Sequence, residues 1–379
     1  MFHNHTCFSK STIRIRNHKL SSLRPLWLLL LLFTPTLASV AAAAQLTPTL
    51  PSVPAVTQLT PTLPSVPAAA QYNAYVAQNE SNSVWVINTM TDQVVAVIPV
   101  QFSPFGIAIT PNGAFAYVSN TGIICDPHSP ICPVAQAGSV SVIDTANYNV
   151  VATIPVGQYP AGVAVTPDGA FAYVVNFNSN SVSVINTVTN AVTATVGVGA
   201  EPLFVAIKPN GTFAYVTDYA SNDVSVIDTA TNTVVTTVAM ATNPWGVAIT
   251  PNGTLAYVTN PRSNEVSVID VSGATPSVVA TVRVGCGPEG VAVTPNGAFT
   301  YVTNACDSTV SVIDTATNAV VATVAVGADP ENIAITPDGS LAYTTNFMTG
   351  SLSVIDTATN RVVDTIVAAG TEPLGIAIR

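Results

Sequence analysis

Histidine, the commonest catalytic base and metal ligand in proteins, is nearly missing from most of this sequence. His3, His5 and His18 lie in the first 44 residues, and only His128 follows them. A metal site built on several histidines is therefore excluded, no Ser-His-Asp triad can be assembled without His128, and no C-x-x-C-H haem attachment motif occurs. His128 lies in a cysteine-containing insertion, where a surface loop residue is the simpler interpretation.

Acidic and aromatic side chains are the other candidates for ligand binding, and eight of them fall at the variable positions of a repeat described below. They are Phe105, Tyr159, Glu201, Trp245, Glu289, Asp329, Glu331 and Glu372. Around a central funnel they could hold a cation, a saccharide or a peptide. A divalent cation at the mouth of this funnel is the one cofactor that the sequence allows. The alternative is that these loops vary because nothing constrains them, and that the carboxylates keep an exposed surface soluble.

Four cysteines follow the first 44 residues, an even number that suits an oxidising compartment. Cys125 and Cys132 bracket six residues, and a bridge between them would staple a long loop. Cys286 and Cys306 lie on the two sides of a predicted hairpin. If residues 295–297 form a three-residue loop, the numbers of any two residues that face each other across the hairpin add up to 592. The numbers 286 and 306 add up to 592, so these two cysteines should face each other. We predict the disulfides Cys125–Cys132 and Cys286–Cys306. The alternative, a metal site of four thiolates, needs all four cysteines to converge.

A repeat that starts at Asn73 must position these residues. Tyrosines recur at positions 75, 117, 173, 215, 257, 301 and 343, with spacings of 42, 56, 42, 42, 44 and 42. Each opens a YVTN-like segment, followed by an S-V-S-V-I-D-T run, a V-V-A-T-V run, a [GFN]-[VI]-A-[VI] run and a T-P-[ND]-G turn. These runs of Val, Ile, Thr and Tyr, broken by turn residues, predict four antiparallel strands per repeat.

Radial stacking of such units into a β-propeller explains why several strands are apolar on both faces, whereas a linear β-solenoid would need shorter periods. The repeat begins with the strand of Tyr75, which lacks an inner partner, and ends with an inner strand, Gly375 to Arg379. We predict an all-β, seven-bladed propeller over residues 73–379, closed by pairing of the C-terminal inner strand with the N-terminal blade. The repeated Asp of I-D-T and Asn of Y-V-T-N end strands, so we predict Asx-type backbone bonding for both.

At these motifs the sequence resembles the YVTN family of seven-bladed β-propellers, found in archaeal surface-layer proteins and in many exported bacterial proteins. The resemblance covers residues 73–379 and implies structural roles for the repeated residues. It implies no single function, because propellers host unrelated activities. Members and more distant relatives include structural surface proteins, a periplasmic DNA-binding protein, lactonases and haem- or quinone-cofactor proteins.

Residues 1–44 have the pattern of a signal peptide: five Lys and Arg, no acidic residue, then an apolar run from Pro25 that ends with Ala42 and Ala44 in A-x-A spacing. An uncleaved anchor is the alternative. Residues 45–72, in which QLTPTLPSVPA occurs twice, predict a stiff Pro-rich linker. We therefore expect an exported protein, periplasmic, cell-surface or secreted, that contacts membrane only through the leader if this stays uncleaved.

Residues 45–379 carry a formal net charge of −15, because the leader holds five of the ten Lys and Arg and none of the twenty Asp and Glu. The remaining basic residues are scattered over several repeats, so we expect no nucleic-acid partner. The sequence favours a non-enzymatic, monomeric binding or scaffold propeller whose variable face recognises a protein or glycan of the cell envelope. The alternative is a metal-assisted small-molecule hydrolase or isomerase of the lactonase type, with carboxylates about 5–9 Å apart across the mouth.

Overall fold

Seven antiparallel sheets of four strands, one for each repeat, form the blades of a β-propeller, as the spacing of the tyrosines predicts. The computed structural model describes residues 71–124, 134–135, 137–367 and 372–379. The predicted signal peptide, nearly all of the predicted linker, His128 and the predicted Cys125–Cys132 bridge lie outside these residues. Within the described ranges, no helix has the length and apolar character needed to span a lipid bilayer.

The blades are numbered from the one that contains Asn73, and each has an inner, a second, a third and an outer strand. The inner strands of blades 1 to 7 are Pro373–Ile378, Pro104–Ile109, Pro160–Val165, Pro202–Ile207, Val247–Ile249, Pro288–Val293 and Pro330–Ile335. The second strands are Asn73–Gln78, Phe115–Asn120, Phe171–Asn176, Phe213–Asp218, Leu255–Asn260, Phe299–Asn304 and Leu341–Asn346. The third strands are Ser83–Asn88, Ser139–Asp144, Ser181–Asn186, Asp223–Asp228, Glu265–Asp270, Thr309–Asp314 and Ser351–Asp356. The outer strands are Gln93–Pro99, Asn149–Pro155, Ala191–Gly197, Thr233–Ala239, Ser277–Arg283, Ala319–Ala325 and Arg361–Val367.

Two small elements lie outside the blade strands. A short hairpin, Ile123–Ile124 with Val134–Ala135, belongs to the insertion that lengthens blade 2, and a 3₁₀ turn, Phe177–Ser179, follows the second strand of blade 3. Both lie where a second strand ends, at the same end of the propeller as the variable connections. The described residues of the insertion, 121–124 and 134–135, thus lie on the variable face.

The ring closes as predicted, by pairing of the first and last strands. The inner strand Pro373–Ile378 pairs antiparallel with Asn73–Gln78, and blade 1 is built from both ends of the repeat region. The amide of Asn73 donates to the carbonyl of Arg379 at 2.8 Å, and the amide of Arg379 donates back at 3.0 Å. Main-chain hydrogen bonds therefore fasten the ring.

The hydrophobic core lies between the blades. Each of seven clusters joins the second and third strands of one blade to those of the next, so Val84 and Val86 of blade 1 pack with Ala116 and Val118 of blade 2. This explains why these strands are apolar on both faces. The outer strands have one face in solvent, and Val97 there is 55% exposed.

The repeated tyrosines are buried, and five of the seven hydrogen-bond to a side chain in a turn of the next blade. The Tyr301 hydroxyl of blade 6 donates to the Asn360 side chain of blade 7 at 2.6 Å. At the closing seam, Tyr343 of blade 7 donates to Asp92 of blade 1 at 3.0 Å. Equivalent bonds join Tyr117 to Asn190, Tyr173 to Asn232 and Tyr257 to Asn318. These bonds give the repeated tyrosine its structural role.

One seam is built differently, because the turn after Val271 in blade 5 carries no asparagine to face Tyr215. Lys208 replaces the threonine of the T-P-[ND]-G turn in blade 4, and its buried ammonium donates to the Val271 carbonyl at 2.7 Å. This is the carbonyl position that the tyrosine hydroxyl reaches at other seams, for example from Tyr301 to Thr357 at 3.4 Å. A buried lysine thus joins blades 4 and 5.

The hairpin register differs from the prediction near the turn. The amide of Thr294 donates to the carbonyl of Phe299, so the loop between them has four residues. Next to this loop, the numbers of residues that face each other add up to 593. A β-bulge between Pro288 and Val291 then shifts the register by one, so that Pro288 faces Asn304 and the sum becomes 592. The predicted facing of 286 and 306 is therefore right, although the three-residue loop behind it was wrong.

Candidate functional site

Seven equivalent residues form a ring at the end of the channel where the inner strands begin. The chain enters each inner strand through four residues, of which the second is always proline and the fourth is usually glycine. The third residue varies from blade to blade, and we call these seven third residues the mouth ring. In blades 1 to 7 they are Leu374, Phe105, Ala161, Leu203, Trp245, Glu289 and Glu331. The residue before the proline has a positive φ in five blades, at Ser103, Tyr159, Glu201, Gly287 and Asp329. The chain therefore turns sharply as it enters the channel wall.

Hydroxyl groups of the second strands hold the mouth ring in place. Thr259 Oγ1 in blade 5 accepts a hydrogen bond from the Gly246 amide at 2.8 Å and donates to the Glu289 carbonyl of blade 6 at 2.7 Å. Thr217 likewise donates to the Trp245 carbonyl of the next blade at 2.6 Å. A Cβ on Gly246 would lie 2.3 Å from the Glu289 carbonyl oxygen, so this close approach requires glycine. The mouth ring therefore rests on rigid strands.

The two glutamates of the mouth ring lie in neighbouring blades and contact each other. Their carboxyl groups lie against each other, and Glu289 is only 4% exposed. Burial and the nearby acids Glu331 and Asp329 raise the pKa of Glu289 well above its usual range. Burial raises the pKa of Glu331 to about 7, and Asp329 and Glu372 add to this effect. Two adjoining carboxyls in this environment are costly to ionise together, so both pKa shifts favour the protonated form.

The neighbours of this pair extend the acidic side of the mouth over blades 7 and 1. Burial raises the pKa of Glu372, and Glu80 contributes. Tyr159 of blade 3 is also close: burial raises the pKa of its phenol, and the charge of Glu331 raises it further. The Tyr159 ring packs against Phe177 with ring centroids 5.5 Å apart. We call Glu289, Asp329, Glu331 and Glu372 the acidic side of the mouth.

The other side of the mouth is aromatic. The rings of Phe105 and Phe204 are 6.0 Å apart, and those of Phe204 and Trp245 are 6.5 Å apart. Tyr219 meets Trp245 edge-on at 5.8 Å. Phe105 and Phe204 come from blades 2 and 4, and they meet because blade 3 has the small Ala161 between them. We call these four rings the aromatic arc.

The channel below the mouth is narrow, with a cavity of about 140 Å³ lined by the inner strands. Most of its lining comes from glycines and from Val or Ile side chains, such as Gly106 and Val291. Phe204 of blade 4 and Asn332 of blade 7 replace the repeat glycine there, and both line the cavity. Side chains at these two positions occupy space that glycine leaves open in the other five blades.

Seven of the eight predicted binding residues lie at the mouth. Four form the acidic side, Phe105 and Trp245 belong to the aromatic arc, and Tyr159 lies close to Glu331. Glu201 is exposed and lies apart from the carboxyl pair. The sequence prediction missed Phe204, which links Phe105 to Trp245 in the aromatic arc. The signal was present, since Phe204 stands where five other blades have glycine.

The predicted Cys286–Cys306 disulfide has the right backbone arrangement, because the amide of Cys306 donates to the carbonyl of Cys286 at 3.2 Å. The two half-buried thiols are not joined in this structure, so the bridge stays a prediction. Across the described part of the chain, no group of three or more His, Cys, Asp or Glu is arranged to hold a metal ion. The divalent cation at the mouth also stays a prediction.

The repeated Asp and Asn differ in their roles. Asp228 of I-D-T accepts hydrogen bonds from the amides of Ala230 and Thr231 at 2.9 Å, the predicted Asx-type bonding. The prediction was wrong for the Asn of Y-V-T-N. Asn176 is fully buried and donates to the hydroxyl groups of Ser181 and Ser183, at 3.2 and 3.0 Å. It joins two strands side by side, because its position faces the next strand and not a turn.

The family model of the YNCE-like β-propellers matches residues 38–378. The chain belongs to this family. The uncharacterised protein YncE of Salmonella typhimurium is 30% identical over 105 residues, which is 28% of this YNCE-like propeller and 26% of YncE, so the match spans about a quarter of that relative. The match supports a propeller family in general; the finer resemblance to YVTN and surface-layer proteins stays a prediction.

Solved structures share the fold of this YNCE-like propeller at low sequence identity. Hydrazine synthase from Kuenenia stuttgartiensis is 24% identical with a TM-score of 0.66, and the match covers 75% of this chain and 92% of that one. The periplasmic gluconolactonase PpgL of Pseudomonas aeruginosa is 17% identical with a TM-score of 0.68, over 82% and 99% of the two chains. Likeness at this level of identity shows the fold alone.

Proposed function

We propose that this chain is an exported, non-enzymatic binding propeller that recognises a glycan at its channel mouth. The observation that carries the proposal is the pairing of an aromatic arc with an acidic side around one opening. Aromatic rings stack on the C–H faces of sugar rings, and carboxyl groups hydrogen-bond sugar hydroxyls. Concave sites with apolar walls and a few convergent polar groups are typical small-ligand sites.

The position of these residues on strands supports recognition by a preformed site. The hydroxyl bridges from Thr217 and Thr259 hold the backbone of the ring residues on neighbouring blades. A site built on such rigid elements loses little entropy when a ligand binds. A protein partner would cover about 800 Å² of each surface, whereas the aromatic and carboxyl groups that support recognition surround a single opening, so we favour a glycan.

The carboxyl pair does not have the spacing of the glycosidase arrangement. Catalytic carboxyl groups that activate water or form a glycosyl intermediate stand about 5–9.5 Å apart. The carboxyl groups of Glu289 and Glu331 lie against each other, closer than this range. This geometry favours binding over glycosidase-type hydrolysis.

A second candidate function is hydrolysis of a sugar lactone. Two adjoining carboxyls resemble in arrangement the acid–base dyad of aspartic proteases, in which one group activates water while the other protonates the carbonyl. A periplasmic gluconolactonase has the same fold. The test is hydrolysis of D-glucono-1,5-lactone above its spontaneous rate, with Glu289→Gln and Glu331→Gln as paired variants. Activity that both variants abolish would replace the binding proposal by this one.

The binding proposal is tested with a glycan array probed with the full protein. We expect wild type to bind a defined set of oligosaccharides and a Phe105→Ala, Trp245→Ala double variant to lose them. Glu201→Gln is the matched control, because this exposed acid lies apart from the pair, and it should bind as wild type does. A melting curve for each variant separates lost binding from lost folding. No bound glycan, or unchanged binding by the folded double variant, contradicts the proposal.

Export is the other part of the proposal, supported by the basic and apolar pattern of residues 1–44. Mass spectrometry of the N-terminal peptide of protein recovered from the cell envelope or the medium tests it. Cleavage after Ala44 supports the signal peptide. An intact leader in a membrane fraction supports the anchor, and recovery from the cytoplasm contradicts export.

A further inference from the structure

The acidic side of the mouth contains a buried carboxyl oxygen, Glu289 Oε2, that has no hydrogen-bond partner among the described residues. Glu289 is 4% exposed, and no N–H or hydroxyl group among the described residues donates to its Oε2 atom. What faces this carboxyl is a second carboxyl, that of Glu331. Buried polar groups are nearly always hydrogen-bonded in native proteins, so a buried acid with this environment indicates a missing partner.

Among the described residues, no positively charged group acts on the pair. The charged groups that act on Glu289 and Glu331 are acids: Asp329 acts on both, and Glu372 acts on Glu331. The other titratable group facing the pair is the Tyr159 phenol, which carries no positive charge. The five remaining members of the mouth ring are apolar. Burial without a nearby cation favours the protonated carboxyl, and a bound cation would favour the ionised form instead.

The aromatic arc defines the rest of that partner. Phe105 and Phe204 are partly exposed, and Trp245, which is 5% exposed, packs beside Phe204. Aromatic rings suit a sugar ring and also attract an ammonium group. A quaternary ammonium has no N–H and cannot satisfy Glu289. A primary ammonium has three donors, enough for one hydrogen bond to each carboxyl of the pair.

We propose that the glycan recognised here carries a free primary ammonium group, as a glucosamine unit does, and that Glu289 and Glu331 bind this group while the aromatic arc contacts the sugar. The inference rests on the proposed function and names the ligand class of the same site. On binding, the ammonium favours the ionised form of these carboxyls, whose pKa values are raised in the free protein. Binding therefore releases a proton to the solvent.

Three trisaccharides that share a β-1,4-linked backbone test this inference: cellotriose, chitotriose and triacetylchitotriose. They differ in the group at carbon 2, which is a hydroxyl in the first, a free amine in the second and an acetylated amine in the third. Calorimetry with the full protein is run at about pH 6, where such amines are protonated. We expect chitotriose to bind at least about tenfold more tightly than the other two. In buffers of different ionisation enthalpy, chitotriose should release a proton and cellotriose should release none.

Two isosteric variants locate the preference for the amine. Glu289→Gln and Glu331→Gln each remove one acid without changing the volume, so the fold is kept and the tenfold preference should be lost. Glu201→Gln is the matched control and should keep the preference. Equal binding of chitotriose and cellotriose overturns the inference and leaves glycan recognition standing, as does a preference that survives both variants. Ca²⁺ or Mn²⁺ that displaces chitotriose from wild type also overturns it, since the pair is then a metal site.

Discussion

Blade 4 carries Asp218 where five other blades carry the buried asparagine of the Y-V-T-N segment. In blade 3, Asn176 donates to two serine hydroxyls, whereas Asp218 accepts from Ser225 Oγ at 2.6 Å and faces a second acid, Asp223. Asp218 is completely buried, and neither its Oδ1 nor that of Asp223 has a hydrogen-bond partner among the described residues. We predict that Asp218→Asn stabilises the protein at neutral and alkaline pH.

The magnitude follows from the pKa of the Asp218 carboxyl. Burial, followed by the nearby Asp223, raises this pKa from 3.8 to about 7. An acid whose folded-state pKa lies above its unfolded value binds the proton more tightly when folded, so stability is lost as pH rises from about 4 to about 7. Three units at about 1.4 kcal/mol each give a ceiling of about 4 kcal/mol. Local relaxation reduces this, and we expect about 2–3 kcal/mol at pH 8.

The assay is thermal unfolding of wild type and Asp218→Asn between about pH 4 and pH 8. At about 2 °C per kcal/mol for a domain of this size, the variant should melt about 4–6 °C higher at pH 8 and nearly level with wild type at pH 4. Asn176→Asp, which places the acid in blade 3, is the matched control and should lower Tm as pH rises. An Asp218→Asn variant that melts below wild type at pH 8, or that keeps the same pH slope, refutes the reasoning.

Two further predictions concern the seams and the thiols. Tyr301→Phe removes a 2.6 Å hydrogen bond to Asn360 and should lower the free energy of unfolding, measured with denaturant, by about 1 kcal/mol. Tyr215 faces no turn asparagine, so Tyr215→Phe should lower the free energy of unfolding by less. Equal losses in the two variants would contradict the role given to the tyrosine–asparagine bond. Protein recovered from an oxidising compartment should yield a disulfide-linked Cys286–Cys306 peptide by mass spectrometry without reduction, whereas recovery of both thiols alkylated would contradict the predicted bridge.

The fold could be read from the sequence almost completely because each blade repeats the same local solution. Seven tyrosines number the blades, and an unpaired strand at each end of the repeat indicates the closure between Asn73–Gln78 and Pro373–Ile378. The hairpin register could not be read, because the β-bulge before Val291 depends on how neighbouring inner strands approach each other at the channel. The side-chain bonding of Asn176 was missed for a related reason: the sequence does not show that its strand end is enclosed.

The candidate site was predicted residue by residue but not in its organisation. Glu289 and Glu331 are 42 positions apart, at the same place in consecutive repeats, so their proximity could have been inferred. Their contact and the unmet need for a donor depend on burial, which periodicity does not report. The aromatic arc needed Phe204, whose ring occupies a glycine position and bridges residues from blades 2 and 5.

The fluorescence of Trp245 gives the most direct test of glycan recognition at the channel mouth. Replacing Trp27 and Trp85 by Phe leaves Trp245 as the one tryptophan of the chain. Titration of this full-length variant with chitotriose and with cellotriose should give a saturable change in Trp245 emission, with the midpoint at the lower concentration for chitotriose. Binding of either sugar by calorimetry with no change in Trp245 emission would contradict the account, because the ligand would then lie away from the aromatic arc.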